Sequence, residues 1–435
     1  MKKNSAPILC LAMILAQSAF ADDWPQYRGP NRNDVSAEMG LLRSWPPDGP
    51  PLAWTYTDAG IGYSGPAVVG DRLYTIGGRG DSEYLIALDI KSVKDGTVAE
   101  AWNAQVGPLF DWKGNQWSAG PSSTPTVDGD VVFALGGMGD LICVAAGDGK
   151  DRWRKNLPRE LDAQVNPIGG GPKNLGWGFT WSPLVDGERL ICMPGGPKGT
   201  VAALDKKTGD VTWRSSEVAD QAAYTSPMVA DIEGVRQYVV LTNQGLFGVD
   251  ARDGRVLWSH RRQPPYGTEV VNSPIVDGSL VYATVGAGQG CDLLRITRGG
   301  DKFNVQPVYG NRNMTNHHGN VALIGEHIFG FSEGKGWMCQ AFQTGEIVWA
   351  EKAKLRAGSM TYADGRIYCY GEDDGTTVLI EASSTGWTES RRFRIPQQST
   401  RRKPSGKIWT PPVVSGGRLF LRNQEFVFCF DVKNK

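Results

Sequence analysis

The sequence predicts an all-β protein, an eight-bladed β-propeller of four-stranded antiparallel blades, and three observations carry that prediction. A strand-and-turn unit recurs along nearly the whole chain, and its last copy stops one strand short. A strand-like segment ahead of the first full copy can supply the missing strand.

Each unit opens on Ser/Thr-Pro, then runs through a β-rich hexad, a Gly-Asp type turn, a second hexad and a Gly-rich loop. A third strand ending near Asp, a Gly turn and a strand carrying Trp complete it. The first copy begins at Ser64-Gly65-Pro66, turns at Gly70-Asp71 and reaches Trp102. The second runs from Ser123-Thr124-Pro125 to Trp153, the third from Ser182-Pro183 to Trp213, and the fourth from Ser226-Pro227 to Trp258. The fifth opens at Ser273-Pro274 and has Tyr309 where Trp is expected. The sixth runs from near Asn320 to Trp349, and the seventh turns at Asp364-Gly365 and ends near Phe393. The eighth begins at Thr410-Pro411-Pro412 and stops at Asp431 after three strands, so Leu52-Ala53-Trp54-Thr55-Tyr56 is expected as its fourth. Closing the ring in this way removes both exposed sheet edges, which makes residues 51–435 a single propeller domain.

The flanking segments read differently. Lys2 and Lys3, the apolar run from Ile8 to Ala16 and the small residues of Ala19-Phe20-Ala21 predict a signal peptide over 1–21, cut before Asp22. Cys10 is not preceded by a lipobox, so no lipid anchor is expected. Residues 22–50 are then an N-terminal strap or a partner-binding arm, in which Trp24 and Tyr27 call for burial. No other stretch is apolar enough to span a bilayer. The expected location is the periplasm or the exterior, as a monomer.

Lys+Arg and Asp+Glu balance at 46 each, so no global field favours nucleic acid. Of the seven cysteines, Cys10 falls in the leader. Most of the others sit in apolar runs such as Leu141-Ile142-Cys143-Val144, and buried reduced thiols are expected for them. There is no CxxCH for a c-type haem.

The segment Ala203-Leu204-Asp205-Lys206-Lys207-Thr208-Gly209-Asp210-Val211-Thr212-Trp213 fits A-x-D-x-x-T-G-x-x-x-W at every fixed position, and Asp250, Gly254 and Trp258 repeat its core. Asp205 is placed to cap the turn, Gly209 to supply its positive φ, and Trp213 to pack between blades. The pattern resembles the pyrroloquinoline-quinone (PQQ) repeat propellers over roughly 52–432, and Trp24 to Arg32 is similar to the amino-terminal signature of exported members of that group. The resemblance implies an architecture and two functions. One is a non-catalytic binding or scaffold propeller for an envelope protein, a polysaccharide or a small molecule. The other is a PQQ/Ca²⁺-dependent dehydrogenase oxidising an alcohol or sugar. The chain lacks the adjacent cysteines common in such dehydrogenases, and no recognisable base or Ca²⁺-ligand segment is present. A hydrolase reading has no G-x-S-x-G or H-E-x-x-H to rest on.

Loop lengths point to one face. Turns within the first and last strand pairs of each unit are short, whereas the crossovers 103–121, 154–181, 259–271, 310–319 and 394–409 hold the insertions. Trp117, Trp177 and Trp181 in these crossovers are placed either to stack on a sugar ring or flat cofactor, or to pack loop on loop. Asn272, Asn316, His317, His318 and Asn320 are further ligand candidates. Adjacent histidines in an extended segment point to opposite sides, so no metal site is expected of them. Arg401 and Arg402, with Arg391, Arg392, Arg394, Lys403, Lys407, Arg261 and Arg262, are candidates for a basic rim. Glu372-Asp373-Asp374-Gly375 lacks the alternating ligands of a calcium loop and reads as a hairpin turn.

Overall fold

The computed structural model describes residues 23–434, so the expected leader and its cleavage site lie outside the described residues. Eight four-stranded antiparallel sheets form the molecule. Blades 1 to 7 use consecutive strands, over 67–108, 126–156, 184–214, 228–261, 275–311, 321–351 and 358–394. Blade 8 takes three strands from 413–431, and Leu52–Tyr56 adds the fourth by pairing antiparallel with Phe426–Asp431. The ring therefore closes as the sequence predicts.

The middle strands of a blade are covered on both faces by neighbours, so they read as unbroken apolar runs. Gly245–Asp250 is buried at every position. The outer strand Val211–Arg214 is half-exposed, and the alternation weakens there. Apolar clusters accordingly lie between neighbouring blades, as where Tyr368 and Leu379 of blade 7 meet Leu419 and Phe428 of blade 8.

The repeat tryptophans act across these seams. Trp102 donates its indole N–H to Ala146 O at 3.0 Å, Trp153 to Lys206 O at 2.9 Å, and Trp349 to Ser383 O at 2.8 Å, each acceptor lying in the next blade. The Trp102 and Trp153 rings then cover the turn glycines Gly149 and Gly209. At Gly209, φ is +77° and a Cβ would stand 2.9 Å from the Trp153 ring, so the turn requires glycine twice over. Tyr309 takes the same role with its hydroxyl on Phe342 O. Asp205 and Asp250 cap their turns by accepting from the N–H groups of Lys207 and Arg252. Trp213 lies over Gly254 and stacks on Tyr238. Trp258 departs from the pattern and donates to Gln237 inside its own blade.

The Ser/Thr-Pro openings of blades 2 to 5 are linked in succession. Thr124 N–H donates to Ser182 Oγ, Ser182 N–H to Ser226 Oγ and Ser226 N–H to Ser273 Oγ, each at 2.9 Å. These bonds satisfy backbone donors that the tight centre shuts off from water.

Residues 23–50 cross that centre. Trp24 bridges to Val68 of blade 1, Val35 to Tyr362 of blade 7, and Leu41 to Lys433 beyond blade 8. Arg28 pairs with Asp34 at 2.5 Å, both side chains 1 % exposed, and donates to Val321 O. Arg32 donates to the carbonyls of Ser182 and Pro183. Trp45 packs edge-on to Phe393 at 5.1 Å. Burial lowers the Arg32 pKa to about 9, which leaves the guanidinium charged at neutral pH.

One feature differs from the sequence expectation. The last two strands of blades 1 and 5 extend as long hairpins, Ser82–Lys94 with Thr97–Pro108 and Gly290–Gly299 with Lys302–Asn311, so the turn face is not uniformly tight. All six described cysteines are buried and unpaired, in line with their apolar sequence settings. No helix among the described residues is long and apolar enough to cross a membrane.

Candidate binding cavity on the propeller axis

A cavity of about 630 Å³ opens on the crossover face. Every crossover lines it: Gly65 before blade 1, Thr124 before blade 2, Thr180, Ser226, Val271, Asn320, Ala357 and Pro411 before the others. The cavity is therefore axial. Tyr27 of the amino-terminal segment lines it too and donates to Asn320 Oδ1 at 3.0 Å.

Its walls are aromatic. His317 and His318 stack at 4.2 Å, His318 stacks on Trp409 at 4.8 Å, and Tyr63 lies 5.2 Å from Trp409. Trp177 stands on the wall, and Trp117, 51 % exposed, stands at the rim. Into this lining project Glu269, Glu333 and Glu372. Trp177 Nε1–H donates to Glu269 at 3.0 Å and Trp409 Nε1–H to Glu372 at 3.1 Å. His317 lies between two carboxylates, Nδ1 at 3.5 Å from Glu333 and Nε2 at 3.8 Å from Glu269.

The electrostatics follow from these contacts. Burial works to raise Glu269, but the Trp177 bond and the others it accepts hold it below the usual carboxylate range. The His317 bond does the same for Glu333. Burial pushes Glu372 up, with Asp373 beside it adding to the effect. His318 is partly exposed and lines the cavity, and burial with the neighbouring His317 lowers its pKa to about 3, so it is neutral at pH 7. Lys407 lines the cavity with its ammonium 2.7 Å from Asp373 Oδ1.

The structure brings Trp117, Trp177, His317, His318 and Asn320 together and sets the other candidates elsewhere. Both histidines face the cavity, because the chain bends at 317–319 with Gly319 at φ +90°, and the alternation of an extended strand does not apply. Trp181 is fully buried within the interblade core and does not reach the cavity. Asn272 and Asn316 are also buried; Asn272 Nδ2 donates to Asn316 O and Asn316 Nδ2 to Phe331 O, so both brace the crossover backbone.

Most cations of the expected basic rim have an acidic partner. Arg401 lies 4.0 Å from Glu425, and Arg402 donates to Asp373 O and Gln398. Arg392, Arg394, Lys403, Arg261 and Arg262 meet Glu389, Asp374, Asp111, Asp220 and Asp292. Apart from Glu389, these acids lie 20 or more residues away in sequence, which a run of cations in one loop does not reveal. Sequence reasoning passed over Glu269, Glu333 and Trp409 and read Glu372 only as part of a turn. The repeat register does carry a signal, since Glu333 and Glu372 each follow the second strand of adjacent blades.

Among the described residues, no group of three or more His, Cys, Asp or Glu is placed to hold a metal ion. Three curated relatives were compared, each named outer membrane protein assembly factor BamB. That of Alkalilimnicola ehrlichii is 26% identical over 51% of this chain and 48% of its own length. That of Burkholderia pseudomallei is 24% identical over 64% of this chain and 74% of its own length. The Shewanella oneidensis protein is matched over 60% of its length, so the chain spans about half to three quarters of these relatives. Among solved structures, BamB from Moraxella catarrhalis gives a TM-score of 0.58 at 15% identity, covering 88% of this chain and 98% of that one. The quinohemoprotein alcohol dehydrogenase of Comamonas testosteroni also gives 0.58, at 11% identity, covering 95% and 81%. At these identities the likeness is one of fold. A family model described as outer membrane protein assembly factor BamB matches residues 87–351, more than half of the chain, and the protein belongs to that family of PQQ-repeat propellers.

Proposed function

We propose that the protein is a non-catalytic envelope propeller that binds its partner at the crossover face, with the axial cavity as the centre of the site. The carrying observation is the cavity itself, a rigid one-sided recess of aromatic walls and fixed carboxylates on the loop-rich face. The named relatives are assembly factors of the outer membrane, and a periplasmic or secreted location after removal of 1–21 accords with that. Residues 22–50 act in this reading as a strap across the centre.

The donor set bears on the alternative. PQQ is a tricarboxylate and needs cations around it, yet the cavity presents Glu269, Glu333 and Glu372 and a lysine already paired with Asp373. Those residues do not fit the group. Mixing the purified protein with PQQ and Ca²⁺, followed by dialysis, is expected to leave no quinone absorbance and no dye-coupled oxidation of alcohols or sugars. A stoichiometric chromophore retained after dialysis, with turnover, overturns the reading.

A further inference from the structure

We propose that the axial cavity recognises an organic cation, an alkylguanidinium or alkylammonium group carried either by a free small molecule or by a side chain of a partner polypeptide. This rests on the reading of the cavity as a binding site and names the chemistry it takes.

The first argument is the balance of donors and acceptors. A sugar presents hydroxyls that both donate and accept, so a sugar site needs free groups of both kinds. Here the strong donors are already committed. The indole N–H groups of Trp177 and Trp409 go to Glu269 and Glu372, and the Lys407 ammonium goes to Asp373. What the walls leave over is acceptor capacity. Carboxylates have room for several bonds each, and Glu269 and Glu333 are held ionised by their surroundings.

The second argument is the aromatic geometry. Trp409, His318 and His317 stack on one side with Tyr63 tilted against Trp409, while Trp177 and Trp117 stand on the wall and rim. Ring faces attract a cation, most strongly where water is excluded, and they leave its N–H groups free for the carboxylates. His318 is neutral and offers no opposing charge. An anionic ligand would meet the three glutamates, with Lys407 already paired to Asp373 and His317 already seated between Glu269 and Glu333.

The test uses the purified mature protein and isothermal titration with agmatine, with its neutral urea-capped analogue 4-ureidobutanol as control, with cellobiose, and with an Arg-containing tripeptide and its citrulline twin. Saturable binding of agmatine or of the Arg tripeptide, weakened at least about tenfold by Glu333→Gln and by Glu269→Gln through loss of a charged hydrogen bond and weakened by raising salt, is the expected result. Tighter binding of the peptide than of agmatine assigns the cation to a polypeptide, and the reverse to a small molecule. Circular dichroism and melting curves confirm that both variants keep the fold. Binding of cellobiose with none of either cation overturns the cation assignment and leaves the cavity a binding site. Cation binding unchanged in both variants overturns it as well. Absence of any binding overturns the assignment, and the wider reading then stands or falls on partner contacts at the same face.

Discussion

Replacing Arg422 by Met is expected to cost about 3–5 kcal/mol, because it leaves several buried oxygens without a donor at about 1–3 kcal/mol each. Arg422 is wholly buried on the second strand of blade 8. Its guanidinium donates to Ser64 O, Thr75 Oγ1 and Ile76 O, to Ala59 O and Gly60 O, and to Gln424 O. Those oxygens belong to blade 1, to the link that leads into it, and to the turn beside Arg422 itself. One side chain therefore ties the carboxyl-terminal blade to the amino-terminal one, beside the strand pairing that closes the ring. Burial lowers its pKa to about 9, so it remains a cation at neutral pH and its hydrogen bonds are charge-assisted. Methionine fills similar space but leaves the carbonyls dry and unpaired. Arg422→Lys recovers only part of the loss, because one ammonium cannot span acceptors on three segments. Urea denaturation midpoints at pH 7 measure the effect, and a change below about 0.5 kcal/mol, the level of an ordinary surface substitution, contradicts the seam role.

Glu83 should make stability fall as pH rises, by up to about 3 kcal/mol. Its side chain is fully buried. Oε1 accepts from Phe110 N–H at 3.1 Å and Oε2 from Gly137 N–H at 2.8 Å, which links blade 1 to the aromatic crossover and to blade 2. Burial raises its pKa to about 7, the two N–H groups oppose that, and Asp140 adds to it. Between the ordinary value near 4.5 and about 7, the folded protein keeps a proton that the unfolded chain has released. The contribution is complete below about pH 4.5 and is lost as pH passes through about 7. Denaturation midpoints of the wild type and of Glu83→Gln at pH 5 and pH 8 isolate it. The wild type should lose more stability than the variant over that interval, and parallel losses would refute the assignment.

These two residues also mark how far the sequence could be read. The blade count, the split eighth blade and the interblade role of Trp153 follow from local pattern, since a repeat displays the same turn and strand chemistry in every copy. Arg422 gave no such signal: most of its acceptors, four carbonyls and the Thr75 hydroxyl, lie 346 to 363 residues away, and only ring closure brings them near. The candidate site divides on the same line. Trp117, Trp177 and the His317–His318 pair were legible as unusual residues in long crossovers. Trp181 shares that sequence setting but turns into the core, and Arg394 and Arg401 meet acids from other turns, Asp374 and Glu425. Glu269, Glu333 and Glu372 look like ordinary surface acids until the crossovers converge on the axis.

The central claim is that partners engage the crossover face at the cavity. Photo-crosslinking in producing cells tests it most directly, with p-benzoylphenylalanine placed at the cavity rim (Trp117→p-benzoylphenylalanine) or on the opposite face (Thr208→p-benzoylphenylalanine), where Thr208 sits in an exposed turn. The account predicts light-dependent adducts from position 117, competed by the purified unlabelled protein, and none from position 208. Adducts from position 208 alone, or from neither, would contradict it.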